Sequence, residues 1–415
     1  MKAEIISTGT ELLLGKTLNT SAFYLTGQLS GLGMEVVYHT TVGDNQERLL
    51  GALEQALTRS QIVFLTGGLG PTADDMTKEV VAHVLDLDMD FYQDWMNSIR
   101  DFYNEKLSLP PGSEKQAIFP KGAKILKNEM GTAPGAIIEK NDKYCVIMPG
   151  PPSEMQVMFD HHVLPELQKI LKEGKERMYV RVIKVFGLGE SELEQQIQDL
   201  MAQSSPFLTL LDKHTYMDLR VTIKTKDKGK AQVILDNTEA VIRKRLGDSI
   251  FGVDDETHAK IVGNLLRKNK LALATAESCS GGLLGGRITS EAGSSDYYLG
   301  GVVSYANSTK EKILGVNLDS LAEHGAVSEV VAKEMAQGVK EYLQADLGLS
   351  ITGIAGPDGG TEEKPIGLVY IGLAHFQGVD IQKCQFVGSR ESIRNMTVET
   401  ALNILRLYLL KLGST

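Results

Sequence analysis

The sequence predicts an α/β protein of several domains, and three observations carry that expectation. The chain has 415 residues, more than one hydrophobic core usually serves. Over its first 171 residues short apolar runs alternate with amphipathic segments, the pattern of a parallel sheet covered by helices. At Gly174-Lys175-Glu176 the character changes to a small α+β unit, and near Asp254-Asp255-Glu256-Thr257 an α/β pattern resumes and runs to the end. Three domains are therefore expected, at 1–171, 172–253 and 254–415.

In the first domain, strands are expected at Glu4–Ser7, Glu35–His39, Ile62–Leu65 and Cys145–Met148, with helices at Thr20–Leu32, Gln46–Arg59 and Lys78–Leu85. Leu109-Pro110-Pro111-Gly112 punctuates the region, and Met148-Pro149-Gly150-Pro151-Pro152-Ser153 ends a strand and starts a helix near Glu154. In the second, Met178–Phe186 and Asp218–Lys226 read as strands, and Ser191–Met201 and Gly229–Leu246 as helices. In the third, an Asp or Thr257 would cap a helix containing Ile261–Leu266. Leu271–Ala276 reads as a buried strand, Leu283, Leu284 and Ile288 as the apolar face of a helix, and Gly300–Tyr305 as another strand. Leu349 opens a strand that runs into the glycine-rich loop Gly353–Gly360, and Thr397–Leu412 reads as the last helix.

Composition narrows the class. With 42% hydrophobic and 23% charged residues the chain reads as ordinary globular protein. No apolar stretch reaches transmembrane length and the N-terminus runs straight into a strand, so neither a membrane segment nor a signal peptide is expected. Cys145, Cys279 and Cys384 stand far apart and form no zinc-like pair, which suits a reduced, cytoplasmic setting. A net charge of −10 argues against a general nucleic-acid binder. The run Lys224, Lys226, Lys228 and Lys230 reads as a solvated strand end and turn.

Two junctions carry chemistry. At 274–282, Ala-Thr-Ala-Glu-Ser-Cys-Ser-Gly-Gly, a strand hands over to a helix N-terminus. Unpaired N–H groups and the helix dipole favour negative charge there. Ser278 or Ser280 would then be a nucleophile beside an oxyanion or phosphate site, or else an ordinary N-cap. At Gly67-Gly68-Leu69-Gly70, glycines let backbone amides approach phosphate. Asp74 and Asp75 would repel that phosphate, which suggests a divalent cation between them and a substrate; the alternative is that one of them caps the helix at Met76. Asp44 is a third carboxylate after a strand.

Thr-Ala-Glu-Ser-Cys-Ser-Gly-Gly, Gly293-Ser294-Ser295, Ser304-Tyr305-Ala306-Asn307-Ser308-Thr309-Lys310, His324-Gly-Ala-Val-Ser-Glu and Ile351-Thr352-Gly353-Ile354-Ala355-Gly356-Pro357-Asp358-Gly359-Gly360 follow in order. The series resembles the nicotinamide-mononucleotide deamidase domain of the CinA (competence/damage-inducible protein A) family. Glu4–Gly15, with Asn19-Thr20 beyond, and Val63–Thr77 resemble the molybdopterin-binding, MoaB/MogA-like domain that opens full-length CinA proteins. The middle unit resembles their KH-type domain, without the Gly-x-x-Gly clamp an RNA-binding KH module needs, so a spacer or dimerisation unit is expected there. The resemblance spans essentially the whole chain.

The resemblance implies roles. Ser278 would be the nucleophile, Lys310 its base and Tyr305 a proton relay or donor, with Ser295 and Thr352 bonding to the dyad or substrate. Cys279 is the competing nucleophile. Gly281, Gly353, Gly356 and Gly359 would receive the nucleotide, the glycine loop its 5′-phosphate. In the N-terminal domain Thr10, Glu11, Asn19, Gly67, Gly68, Gly70, Pro71 and Thr72 would bind substrate. Asp74, Asp75 and Asp44 would hold a divalent metal (Mg, Mn or Co) for hydrolysis of ADP-ribose to AMP and ribose 5-phosphate. The deamidase site would need no cofactor. The expected whole is a cytoplasmic homodimer acting on nicotinamide mononucleotide (NMN) and ADP-ribose, without membrane or nucleic-acid partners. The rival expectations are a non-enzymatic competence or recombination protein and a molybdopterin-binding N-terminal domain.

Overall fold

A computed structural model describes residues 1–104, 109–171 and 177–412. The change of character at Gly174-Lys175-Glu176 lies outside the described residues. Two compact units form, the first ending at Val180 but including Ile223–Val233, the second beginning at Arg181.

In the first unit β1 (Lys2–Thr8), α1 (Thr20–Gly31), β2 (Glu35–Val42), α2 (Gln46–Arg59), β3 (Ile62–Thr66) and α3 (Thr77–Val84) alternate as expected. They are followed by β4 (Lys124–Leu126), β5 (Gly135–Lys140), β6 (Lys143–Met148) and α4 (Pro152–Met158). The sheet runs β2-β1-β3-β6-β5-β4. Its first four strands are parallel, but β5 and β4 are antiparallel. The parallel sheet expected from alternation holds for the four strands expected, and β5 and β4 extend it by antiparallel pairing. The cause is local: Asn141 and Asp142 take φ of 52° and 58° between Lys140 and its partner Lys143, a two-residue hairpin turn. β3 is buried at every residue because it carries helices on both faces.

The chain continues with β7 (Arg177–Val185), α5 (Glu190–Met201), β8 (Phe207–Asp212), β9 (Met217–Thr225), α6 (Lys228–Leu246) and β10 (Ile250–Val253), which fall mostly in the second unit. The strands form a sheet in the order β8-β9-β7-β10, and β8 and β10 are additions to the sequence reading. The C-terminal part comprises α7 (His258–Asn269), β11 (Leu273–Glu277), α8 (Leu283–Thr289), β12 (Tyr298–Val303), α9 (Asn307–Leu314), α10 (Glu329–Tyr342), β13 (Leu347–Gly353), β14 (Leu368–His375), β15 (Gly378–Gln385) and α11 (Arg390–Leu412). Thr257 is the N-cap of α7, its hydroxyl accepting from the N–H of Lys260 at 3.0 Å. The two parts of this unit pack together. Phe251 stacks on His258 with ring centroids 3.7 Å apart, and buried Arg406 donates to the Asp248 carbonyl at 2.5 Å.

The five-stranded sheet runs β12-β11-β13-β14-β15, the first three parallel and the last two antiparallel. From β11 the chain first adds β12 on one side, then β13 on the other. That order makes a crevice beyond the C-terminal ends of these strands, the place where open α/β sheets bind ligands. α11 starts seven residues before the expected Thr397 because its first turns are polar and hide the apolar period. Among the described residues no helix is long and apolar enough to cross a membrane.

Candidate active site

Glu277 ends β11, paired with Val303 of β12 on one side and Ile351 of β13 on the other. The next residue, Ser278, is fixed by its own N–H, which donates to the Ile351 carbonyl at 3.0 Å. Its Oγ lies 3.1 Å from Nζ of Lys310, a lysine in the first turn of α9 that is only 1% exposed. Nζ also donates to the carbonyls of Ser304 at 2.6 Å and Tyr305 at 3.4 Å. No carboxylate pairs with it among the described residues. Burial therefore pulls the Lys310 amine below the usual lysine value, because water that would stabilise its charge is excluded. A neutral amine at this position can accept the Ser278 proton while donating to the two carbonyls. Lysine in an ordinary surface turn, the bland alternative, is what Lys312 offers; Lys310 is core.

Burial acts in the opposite sense on the neighbouring thiol. Cys279 is pushed up to about 11, so at neutral pH it is a thiol and a poor nucleophile. Ser280 is fully buried, with its hydroxyl unpartnered.

The helix N-terminus does not offer the anion site expected of it. Gly282, in a left-handed conformation, is the N-cap of α8, and neither serine caps it. The N–H groups of Gly282, Leu284 and Gly285 donate to the Glu277 carboxylate at 3.0, 3.0 and 2.8 Å. A built-in carboxylate occupies the place a substrate anion would take.

Other expected members lie elsewhere. Ser295 is exposed in the 3-10 turn Ser294–Asp296 that leads into β12. That turn is at the Leu273 end of the sheet, across its length from Ser278. The side chain of Thr352 is buried and donates to the Ala326 carbonyl at 2.7 Å, so it holds the His324–Glu329 loop instead of the dyad. Tyr305 is 63% exposed, and its hydroxyl accepts from Nη2 of Arg390 at 3.3 Å, away from Nζ of Lys310. In the glycine loop a Cβ on Gly353 would meet Leu368 and Val369, and one on Gly356 would meet Ile366. These two glycines serve close packing of the loop on its own chain, whereas Gly359 is open.

Sequence reasoning missed Glu277, Arg390 and Arg394. Arg390 donates to the Gly356 carbonyl at 2.6 Å and Arg394 to the Ser280 carbonyl at 2.7 Å. Both arginines stand in the first turns of α11, where the helix dipole disfavours cations. With the helix expected to begin only at Thr397, that mismatch was not visible in the sequence.

In the first unit a cavity of about 380 Å³ gathers Glu11, Asp44, Gly67, Gly68, Gly70, Pro71, Asp75 and Glu154. The neighbouring hollow, lined by Glu11, Leu12, Leu18 and Asn19, contains the N-cap of α1, where Asn19 accepts from the Ala22 N–H. Thr10 donates to Asp44 through its N–H at 3.0 Å and its hydroxyl at 2.7 Å. The Thr72 hydroxyl contacts both Asp74 and Asp75, and the Thr72 N–H donates to Asp75 at 2.9 Å. Neither aspartate caps α3, whose N-cap Met76 has no side-chain bond. The Thr72 hydrogen bond holds the Asp74 carboxyl below its ordinary value, but Asp74 does not line the cavity. Among the described residues no three His, Cys, Asp or Glu side chains gather into a ready-made metal cage. The expected trio of Asp44, Asp74 and Asp75 is corrected accordingly: Asp44 and Asp75 line the cavity, whereas Asp74 is exposed and held by Thr72. Asp44 and Asp75 remain on one cavity wall, which suits a hard cation arriving with phosphate oxygens of its own.

Comparison with known proteins bears on the whole chain. The family described as "CinA C-terminal domain" matches residues 255–409, "Probable molybdopterin binding domain" matches 4–169, and "Damage-inducible protein CinA KH domain" matches 180–252. A Thermoanaerobacter pseudethanolicus protein named for competence and damage induction is 48% identical over 412 residues, 99% of each chain. A "CinA-like protein" of Kosmotoga olearia is 44% identical over 414 residues, 99% of this chain and 100% of its own. A crystal structure of CinA, of unknown function, from Thermoplasma acidophilum is 33% identical with a TM-score of 0.38, covering 41% of this chain and 98% of its own.

Proposed function

The chain belongs to the CinA family along its whole length, and from that premise we propose that its C-terminal domain is a serine–lysine amidohydrolase converting NMN and water to nicotinate mononucleotide and ammonia. The observation that carries this reading is the buried, carboxylate-free Lys310 with Nζ 3.1 Å from the Ser278 hydroxyl. Lys310 takes the serine proton as Oγ attacks the carboxamide carbon. Collapse of the tetrahedral adduct breaks the C–N bond, and Lys310 returns the proton to the departing nitrogen as ammonia. Water, deprotonated by the same amine, then cleaves the acyl-serine ester. Arg390 and Arg394 supply positive charge for the 5′-phosphate.

The test is ammonia release from NMN by the full-length protein without added metal, expected to be readily measurable; its absence overturns the reading. Arg390→Ala should raise KM for NMN by about 10- to 100-fold, the equivalent of roughly 1.5–3 kcal/mol for a bond to a charged group. It should leave the phosphate-free riboside unaffected. An equal loss with the riboside would take Arg390 away from the phosphate.

For the N-terminal domain, which has the molybdopterin-binding fold, we propose metal-dependent hydrolysis of ADP-ribose to AMP and ribose 5-phosphate. Support comes from the glycine-walled cavity, where Glu11, Asp44, Asp75 and Glu154 line the wall and, among the described residues, no basic side chain does. A diphosphate would enter this field only with a cation. Asp44 and Asp75 would hold that cation, which supplies charge neutralisation. EDTA should abolish AMP formation and spare the deamidase, because the serine–lysine chemistry calls on no metal. Asp75→Asn should reproduce the EDTA effect while changing thermal stability by no more than roughly 1 kcal/mol. AMP release unaffected by either treatment would count against the metal, and no AMP release at all would leave pterin binding as the better account of this cavity.

A further inference from the structure

Glu277 is 2% exposed, and among the described residues no basic side chain pairs with it. Its carboxylate is satisfied instead by three backbone N–H groups, those of Gly282, Leu284 and Gly285. Its main chain is anchored as well, since its carbonyl accepts from the Ser304 N–H at 2.8 Å. Residues 277–285 are thereby closed into a ring with Ser278, Cys279 and Ser280 at its bend. Gly281 and Gly282, with φ of 61° and 93°, make the bend possible. From outside, Arg394 holds the Ser280 carbonyl.

Lys310 is positioned separately, by the carbonyls of Ser304 and Tyr305. The contact between its amine and Ser278 Oγ therefore depends on where the bend places the serine. We infer that Glu277 is a positioning residue for the deamidase. Its carboxylate, gripping the N-terminus of α8, sets the distance between Ser278 and Lys310 without touching the reacting atoms. This inference rests on reading Ser278 as nucleophile and Lys310 as base. A glutamine at 277 would turn an amide NH₂ toward N–H donors, and an aspartate would fall one methylene short of them.

The experiment uses full-length protein carrying Glu277→Gln or Glu277→Asp. It measures NMN kinetics and, independently, the rate at which a fluorophosphonate probe modifies Ser278. Each measurement is repeated in a Lys310→Met background. Misplacing the serine by about 1 Å should lower kcat and the labelling rate by about a hundredfold with KM little changed. In the Lys310→Met background the same substitution should cost less than about threefold, because the contact it disturbs is already gone. Labelling at the parent rate, or an equal loss with and without Lys310, overturns the inference. A parent that labels at Ser278 in a Lys310-dependent way but releases no ammonia refutes the NMN reading, while labelling still decides the role of Glu277. A parent that does not label refutes the nucleophile and this inference together. If the glutamine protein fails to fold the aspartate protein carries the test, and if neither folds, Glu277 is a stability element and the inference falls.

Discussion

Replacement of Ser278 with alanine is expected to lower ammonia release from NMN by at least about a thousandfold, the scale on which losing a covalent nucleophile is felt. Hydrolysis of ADP-ribose should continue near the parent rate, because Ser278 belongs to the second compact unit and the glycine-walled cavity to the first. The change removes one half-buried hydroxyl and leaves Lys310 its two carbonyl acceptors, so thermal stability should move by no more than about 1 kcal/mol. Ammonia and AMP assays on one preparation, with a melting curve, check all three. Loss of both activities at an unchanged melting temperature would mean one shared site, and the two-site proposal would fail.

Lys310→Arg should be nearly as damaging as Lys310→Met, again about a thousandfold or more. Arginine keeps a cation but does not deprotonate at working pH, so it cannot receive the serine proton. It must also place a larger, permanently charged group where the lysine side chain is closed off from water. The parent's pH profile gives a second measure of the same residue. Burial lowers the Lys310 value because it penalises the charged form. The base works as the neutral amine, so kcat should rise with pH through that lowered value and level off above it. The rise should be complete before the ordinary lysine range. An arginine variant with most of the parent activity would make Lys310 a charge contact. A rate still climbing through the ordinary lysine range would contradict the depressed amine.

Much of the scaffold was legible because it is set by neighbours in sequence. α2 occupies Gln46–Arg59 at both expected ends: Asn45 caps it by accepting from the Arg48 N–H, and its apolar residues recur every three to four positions. The Thr257 cap of α7 is equally local. The antiparallel β5 was hidden because alternation alone does not distinguish a hairpin from a crossover. The Asn141-Asp142 turn that decides it is two residues long.

By itself the sequence determined which residue types meet at each junction: serine after a strand end, glycines before α3, carboxylates beside them. It determined the family too, through motifs repeated in order. Tertiary structure decided how those groups are used, because hydrogen bonding in a closed interior depends on partners distant in the chain. Ser278 and Lys310, 32 positions apart, meet only because β12 pairs beside β11 and delivers α9 to its end. Ser295 shares the same strand neighbourhood in sequence yet enters at the opposite end of the sheet. In the sequence Glu277 reads only as part of the polar cluster that follows the apolar strand Leu271–Ala276. Only the folded chain shows its carboxylate filling the helix terminus that the sequence left open for a substrate, because a buried acid must find donors and the nearest unpaired ones are those N–H groups.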